Sequence, residues 1–186
     1  EAMIDMVEAF GFHQDLSIPL TVRPSRFPEP QDQAELAMAS FGQRDVLVSP
    51  LTMAMVASAV ANDGVIMTPY LVEQTLTADL GVISTTSPST FSEPISPQTA
   101  VELEKMMIDV VNYGSGAYAA SSFVQVAGKT GSAEIAAGVS PHAWFAGYDA
   151  SDSPQVAVGV FVENGGDGGQ NAGPIARAVI EAVVNQ

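Results

Sequence analysis

Cysteine is absent from the 186 residues, which excludes disulfides and thiolate metal sites. Histidine occurs only as His13 and His142, too few for most zinc sites. Basic side chains are scarce, 6 Lys and Arg against 21 Asp and Glu, for a net charge of −15. Such a surface repels phosphate backbones, so nucleic acid and anionic membrane are poor partners. Long hydrophobic runs are also missing. The most apolar of the long uncharged stretches, Val46 to Asn62, is 17 residues and contains Ser49-Pro50. It falls short of the roughly 20 apolar residues that a membrane span needs, and a buried helix is the expectation. No basic stretch precedes an apolar one near Glu1, so a secretion signal is not indicated.

What is present suits one packed domain. Apolar residues make up 47% of the chain, enough to bury a core at this length. Glu1 to Phe10 has helical periodicity and Gly11 as a stop. A helix that starts at the first residue without a cap suggests a chain that begins inside a larger unit. Ser17 to Pro30 reads as a proline-rich loop and Asp32 to Ser40 as a short helix. Ser49-Pro50 and Ser96-Pro97 both combine an N-cap serine with proline in the first turn. The first pair opens a central helix that ends at Asn62-Asp63-Gly64. The second opens a helix whose inner face holds Leu103, Met106, Met107 and Val110, with Glu102 and Glu104 on a solvated face. Met53, Met55, Met106 and Met107 read as core filler. Thr68 to Leu76 is a strand candidate, Thr77 to Pro97 an exposed connection, and Asn112 to Ser122 a small-residue loop.

The last third is β-rich. Phe123 to Ala127, Ala143 to Tyr148 and Gln155 to Glu163 are strand candidates. The latter two should form an antiparallel hairpin through the turn-rich Asp149 to Pro154. Val156, Val158, Val160 and Val162 share one face at period two. Asn164 to Gly169 reads as a flexible glycine turn in preference to a weak calcium loop. It lacks the Gly-Lys-Ser/Thr ending of a phosphate loop. In the final helix Ile175, Ala178, Val179, Ala182 and Val183 form the expected inner stripe. The fold class is α+β, an antiparallel sheet flanked by helices.

The segment with most chemical content is Gly128-Lys129-Thr130-Gly131-Ser132. It holds one of two lysines in the chain, placed at the end of a β-prone run and flanked by glycine. Glycine in a strand often marks close approach of a ligand or another backbone. A cation, hydroxyls and bare backbone on one edge suit an extended peptide bearing a carboxylate. On residue chemistry alone, a turn with an exposed lysine explains the segment equally well. His142, beside Pro141 at a strand entrance, reads as structural, since no Gly-x-Ser-x-Gly elbow exists to make it a catalytic base. Trp144 and Phe145 point to opposite faces of their strand, so core packing accounts for at least one.

Ala127-Gly128-Lys129-Thr130-Gly131-Ser132-Ala133-Glu134 closely resembles the Lys-Thr-Gly segment of class B penicillin-binding proteins, with Ser132 in place of the second threonine. The run from His142 to Tyr148 is similar to the family's next strand. The run from Gly42 to Ala54, with Ala61-Asn62-Asp63-Gly64, is similar to the helix that follows the family's second motif. The first two motifs themselves are missing: no serine lies three residues before either lysine, and no Ser-x-Asn or Tyr-x-Asn occurs.

The resemblance therefore implies that residues 1–186 are the C-terminal part of a β-lactamase/transpeptidase-like domain, without the serine helix and first strands. It implies the last three strands of a five-stranded sheet. The implied activity is that of a serine D,D-transpeptidase, acting on the D-alanyl-D-alanine end of peptidoglycan stem peptides and acylated by β-lactams. Lys129 would supply positive potential, Thr130 and Ser132 would bind the donor carboxylate, and Gly131 would keep the edge open. The Ser132 N–H would be one oxyanion donor. No cofactor or metal is expected. The implied location is the extracytoplasmic face of the bacterial membrane, reached through an anchor outside these residues. The fragment alone is expected to be inactive and, with apolar surface uncovered, to associate with another copy. A non-catalytic peptide-binding scaffold and a D,D-carboxypeptidase or β-lactamase are the rival readings.

Overall fold

The computed structural model describes residues 2–16 and 18–186. Glu1, the expected first residue of the opening helix, and Ser17, expected to start the proline-rich loop, lie outside the described residues. Helix α1 (Ala2–Ala9) stops at Gly11, whose φ of +90° a side chain would strain. Helix α2 (Gln33–Ser40) is capped by Asp32, which accepts from Glu35 N at 2.8 Å. Helix α3 (Pro50–Ala61) has Ser49 as its N-cap, accepting from Thr52 N at 3.1 Å. Helix α4 (Pro97–Tyr113) repeats the device with Ser96 and Thr99 N at 3.2 Å. Both proline-led starts thus behave as their sequence requires.

Between α3 and α4 the expected single strand from Thr68 to Leu76 is absent. Instead β1 (Ile66–Met67) pairs with β4 (Thr90–Ser92), and β2 (Gln74–Leu76) pairs with β3 (Val82–Thr85). Pro69 cannot donate to a ladder and divides the segment. The region expected to be a plain connection therefore carries two short ribbons, and β2 and β3 are exposed throughout.

The centre of the molecule is an antiparallel three-stranded sheet in the order β5 (Val126–Ala133), β6 (His142–Asp149), β7 (Ala157–Val162). Strand β5 starts three residues later than Phe123 and runs through the Lys-Thr-Gly segment itself. Phe123 is left exposed outside it. Ladder pairing with β6 overrides the weak strand preference of Gly128 and Gly131. The sheet separates two clusters by alternation. One face carries Ala127, Ala146 and Tyr148 against Ala57 and Val60 of α3. The other carries Val126, Ala143, Phe145 and Val158 against Ala172, Ala176 and Ile180, with Val156, Val160 and Val162 packed alongside. This is the valine face expected of β7.

Helix α5 (Gly173–Val184) covers the second face, but not with the expected stripe. Gly173, Ala176 and Ile180 are buried, while Ile175, Val179 and Val183 are exposed. Small residues win because they let the helix lie close to the sheet. Two further expectations on α4 change. Met106 is 56% exposed, while Leu103, Met107 and Ile108 pack inward. Glu104 is not merely solvated: it accepts from Tyr148 Oη at 3.1 Å. Burial first, and the Glu104 carboxylate second, push the Tyr148 phenol above its ordinary range.

Candidate active site

Strand β5 is an edge strand. Its first three residues, Val126, Ala127 and Gly128, are buried, and Leu103, Met107 and Ile108 of α4 pack in the cluster that holds Ala127. From Lys129 onward the strand emerges into a cavity of about 590 Å³. The cavity is bounded by Phe12, Phe27 and Val48 from the N-terminal region, Pro50 and Met53 of α3, and Trp144 and Phe161 of the sheet. Lys129, Thr130, Gly131 and Ser132 all line it, so the fold brings the four expected site residues to one place.

The register says which backbone groups are available. Ala150 N donates to Gln125 O at 2.8 Å, and the pairing from Val126↔Asp149 to Ala133↔His142 is unbroken. Residues 127, 129, 131 and 133 therefore exchange hydrogen bonds with β6. Gly128, Thr130 and Ser132 turn their N–H and C=O groups toward the free edge. Such an edge has the geometry to accept an extended chain as an added strand.

The side chains divide by the same alternation. Lys129 lies on the face shared with Ala146 and Trp144, above α3. Its ammonium donates to the Thr130 carbonyl at 2.7 Å. Among the described residues no carboxylate forms an ion pair with it, so its charge is uncompensated in a molecule of net charge −15. Thr130 and Ser132 lie on the other side of the strand. The Thr130 and Ser115 hydroxyls are hydrogen-bonded at 2.6 Å. Ser132 Oγ accepts from Gly168 N at 3.2 Å.

The two glycines of the motif differ in purpose. A Cβ on Gly128 would lie 2.2 Å from Phe145 Cζ, because the phenyl ring rests directly on the strand there. A Cβ on Gly131 would meet only Trp144 Cβ at 3.3 Å, and the fold has no other use for the space.

Sequence reasoning missed two contributors. Ser115 falls in the expected small-residue loop, where its place between Gly114 and Gly116 is the one visible signal. The glycine segment after Asn164 is a turn as expected as far as Asp167, but its last two glycines continue into a helical turn. Gly168 to Ala172 form a tight π-turn capped by Asp167, which accepts from Gln170 N at 2.8 Å. Cβ atoms on Gly168 and Gly169 would fall 2.2 Å from Gly131 O and 2.0 Å from Ser115 O. The turn is thus pressed onto both the motif strand and the Ser115 loop. His142 is structural as expected, its Nδ1 accepting from Asn164 N at 3.0 Å and its ring edge-on to Phe161. Phe145 is fully buried, and Trp144 packs on Phe161 at 4.7 Å between centroids.

A Lys-Thr-Gly run on an edge strand beside a cavity is one of the three motifs shared by penicillin-binding proteins and serine β-lactamases. The model for the penicillin binding protein transpeptidase domain matches residues 1–181. The chain belongs to the transpeptidase-domain family of penicillin-binding proteins, on its class B, PbpA-like side. The peptidoglycan D,D-transpeptidase PbpA of Mycolicibacterium smegmatis is 43% identical over 192 residues, covering 97% of this chain and 38% of that protein. The Mycobacterium tuberculosis PbpA is 39% identical over 99% of this chain and 39% of its own length. The penicillin-binding protein A structure from M. tuberculosis, solved as a ceftriaxone acyl-enzyme, superposes with a TM-score of 0.92 at 40% identity, over 98% of this chain and 43% of that one. The chain therefore spans about two-fifths of the length of these relatives. The α+β architecture expected from sequence is that of these transpeptidase domains.

Proposed function

We propose that residues 1–186 are the C-terminal part of a serine D,D-transpeptidase domain and supply its substrate-binding strand. The observation that carries this is the free β5 edge over the cavity, with Lys129 uncompensated and the Thr130 and Ser132 N–H groups turned outward. The substrate is a peptidoglycan stem peptide ending in D-alanyl-D-alanine, laid antiparallel along β5. Relatives captured as ceftriaxone and penicillin G acyl-enzymes support β-lactams as mimics of that peptide.

The nucleophilic serine and its base come from polymer outside these residues. The serine oxygen attacks the carbonyl carbon, its proton passes to the base, and the tetrahedral oxygen gains negative charge. The Ser132 N–H donates to that oxygen; losing one such donor costs roughly 3 kcal/mol in a comparable acyl-transfer site. The carbon–nitrogen bond then breaks, the departing amine takes a proton, and an ester acyl-enzyme remains. An amine from a second stem peptide attacks the ester, forms the cross-linking amide and frees the serine. Lys129 anchors the donor carboxylate by charge, Thr130 and Ser132 by directed hydrogen bonds, and Gly131 leaves room for the substrate backbone.

The intact protein works on the extracytoplasmic face of the membrane, held by an anchor outside these residues. Among the described residues no helix is long and apolar enough to cross a membrane. In the isolated chain the exposed Ile175, Val179 and Val183 stripe favours self-association. Light scattering showing a monodisperse monomer would contradict that. The test of the site is labelling of the intact protein with a fluorescent penicillin. Lys129→Ala should slow labelling by about 100-fold or more, the scale seen when an electrostatic contact to the reacting group is lost. Labelling at the wild-type rate would remove this strand from the mechanism.

A further inference from the structure

Thr130 and Ser132 can each give a ligand carboxylate only one proton, since a hydroxyl has a single O–H and a carboxylate only accepts. The structure shows what stands behind each. Gly168 N–H donates to Ser132 Oγ at 3.2 Å, leaving the Ser132 proton free to point elsewhere. Behind Thr130 the partner is the Ser115 hydroxyl at 2.6 Å, a contact that runs in either direction. Once Thr130 donates to an anion its proton is committed, and the short contact survives only with Ser115 as donor. Ser115 then does for Thr130 what Gly168 does for Ser132.

The loop that carries Ser115 is held for this task. Gly114 N and Gly116 N both donate to Val110 O, at 3.1 and 3.0 Å, which fixes the turn after α4 on either side of the serine. A Cβ at Gly169 would lie 2.0 Å from the Ser115 carbonyl oxygen, so the π-turn abuts the same residue. One turn therefore touches both supports, with Gly168 behind Ser132 and Gly169 against Ser115.

We propose that Ser115 is a positioning residue for carboxylate recognition: its hydroxyl donates to Thr130 Oγ1 and orients the Thr130 proton toward the carboxylate of the bound peptide or β-lactam. The O–H···O–H···O⁻ chain that results is polarised along its length, which strengthens the terminal bond. Directed donors of this kind matter on a chain with net charge −15, which otherwise repels the anion. The proposal rests on the carboxylate-binding reading of Thr130 given above.

The experiment is a double-mutant cycle on the second-order rate of acylation of the intact protein by a fluorescent penicillin. Ser115→Ala alone should slow acylation about tenfold, the scale of one hydrogen bond to a charged group. Thr130→Ala alone should slow it by at least as much. In the Thr130→Ala background, Ser115→Ala should cost less than about twofold, because its effect passes through the missing hydroxyl. Ser115→Thr, which keeps the hydroxyl, should restore most of the wild-type rate. A purely structural serine would instead slow both backgrounds equally and would not depend on retaining an O–H. Wild-type acylation by Ser115→Ala, or equal losses in the two backgrounds, overturns the role of Ser115 while leaving the site reading intact. An intact wild-type protein that forms no adduct overturns the site reading and this inference together.

Discussion

Val126, Ala127 and Gly128 are buried, whereas Lys129 to Ala133 are half-buried or exposed, on the same strand and against the same partner. The difference comes from what lies beyond the β5 edge. Helix α4 closes the first half, and Leu103, Met107 and Ile108 help bury Ala127 there. The second half meets only the Ser115 loop and the π-turn, and otherwise borders the cavity. Gly128 and Gly131 make the same contrast residue by residue. Gly128 lacks a side chain because Phe145 occupies its place; Gly131 lacks one where the protein puts almost nothing. An identical residue three positions apart thus serves packing in one case and, in the proposed site, ligand access in the other.

That contrast is open to attack at several strengths. The strongest is Phe145→Ala, which empties the site of a fully buried ring. A loss of about 3–5 kcal/mol in denaturant unfolding is expected, with both halves of the strand affected. Next is the paired substitution of the glycines. Gly128→Ala drives a methyl to 2.2 Å from Phe145 and should cost about 1–3 kcal/mol or more by overpacking. Gly131→Ala should leave the melting temperature nearly unchanged, within roughly 0.5 kcal/mol. In the intact protein it should slow penicillin labelling by about tenfold, on the order of one misplaced hydrogen bond. If Gly131→Ala unfolds the protein as readily as Gly128→Ala, the division into packing and access halves is wrong. The mildest is Ser49→Ala, which uncaps α3 behind the cavity. About 1 kcal/mol of stability should go, while labelling holds at the wild-type rate.

Much of the scaffold was legible because local chemistry decides it. Asp32, Ser49 and Ser96 announce helix starts by satisfying orphan N–H groups, and they do so irrespective of what the helices pack on. The alternating valines of β7 and the opposed Trp144 and Phe145 follow from the pleat. The motif residues 129–132 were legible through resemblance, since their own strand preference is weak. The failures share a different cause. The inner face of α5 was misassigned because two apolar stripes compete in its sequence, and only the close fit of Gly173 and Ala176 against the sheet chooses between them. The packing of the glycine turn is not legible, because nothing local reveals that Gly168 and Gly169 press on β5 and the Ser115 loop.

Residue identity by itself settled the acidic surface, the capped helices, the valine hairpin and the single Lys-Thr-Gly-Ser run, since each depends on neighbours within a few positions along the chain. It could not settle that this run sits on an uncovered edge, that Ser132 and Thr130 turn their N–H groups outward, or that Ser115 stands behind Thr130. Those facts depend on register and on contacts between residues 15 and 36 positions apart in the chain, and such contacts exist only after helices and strands have been brought together.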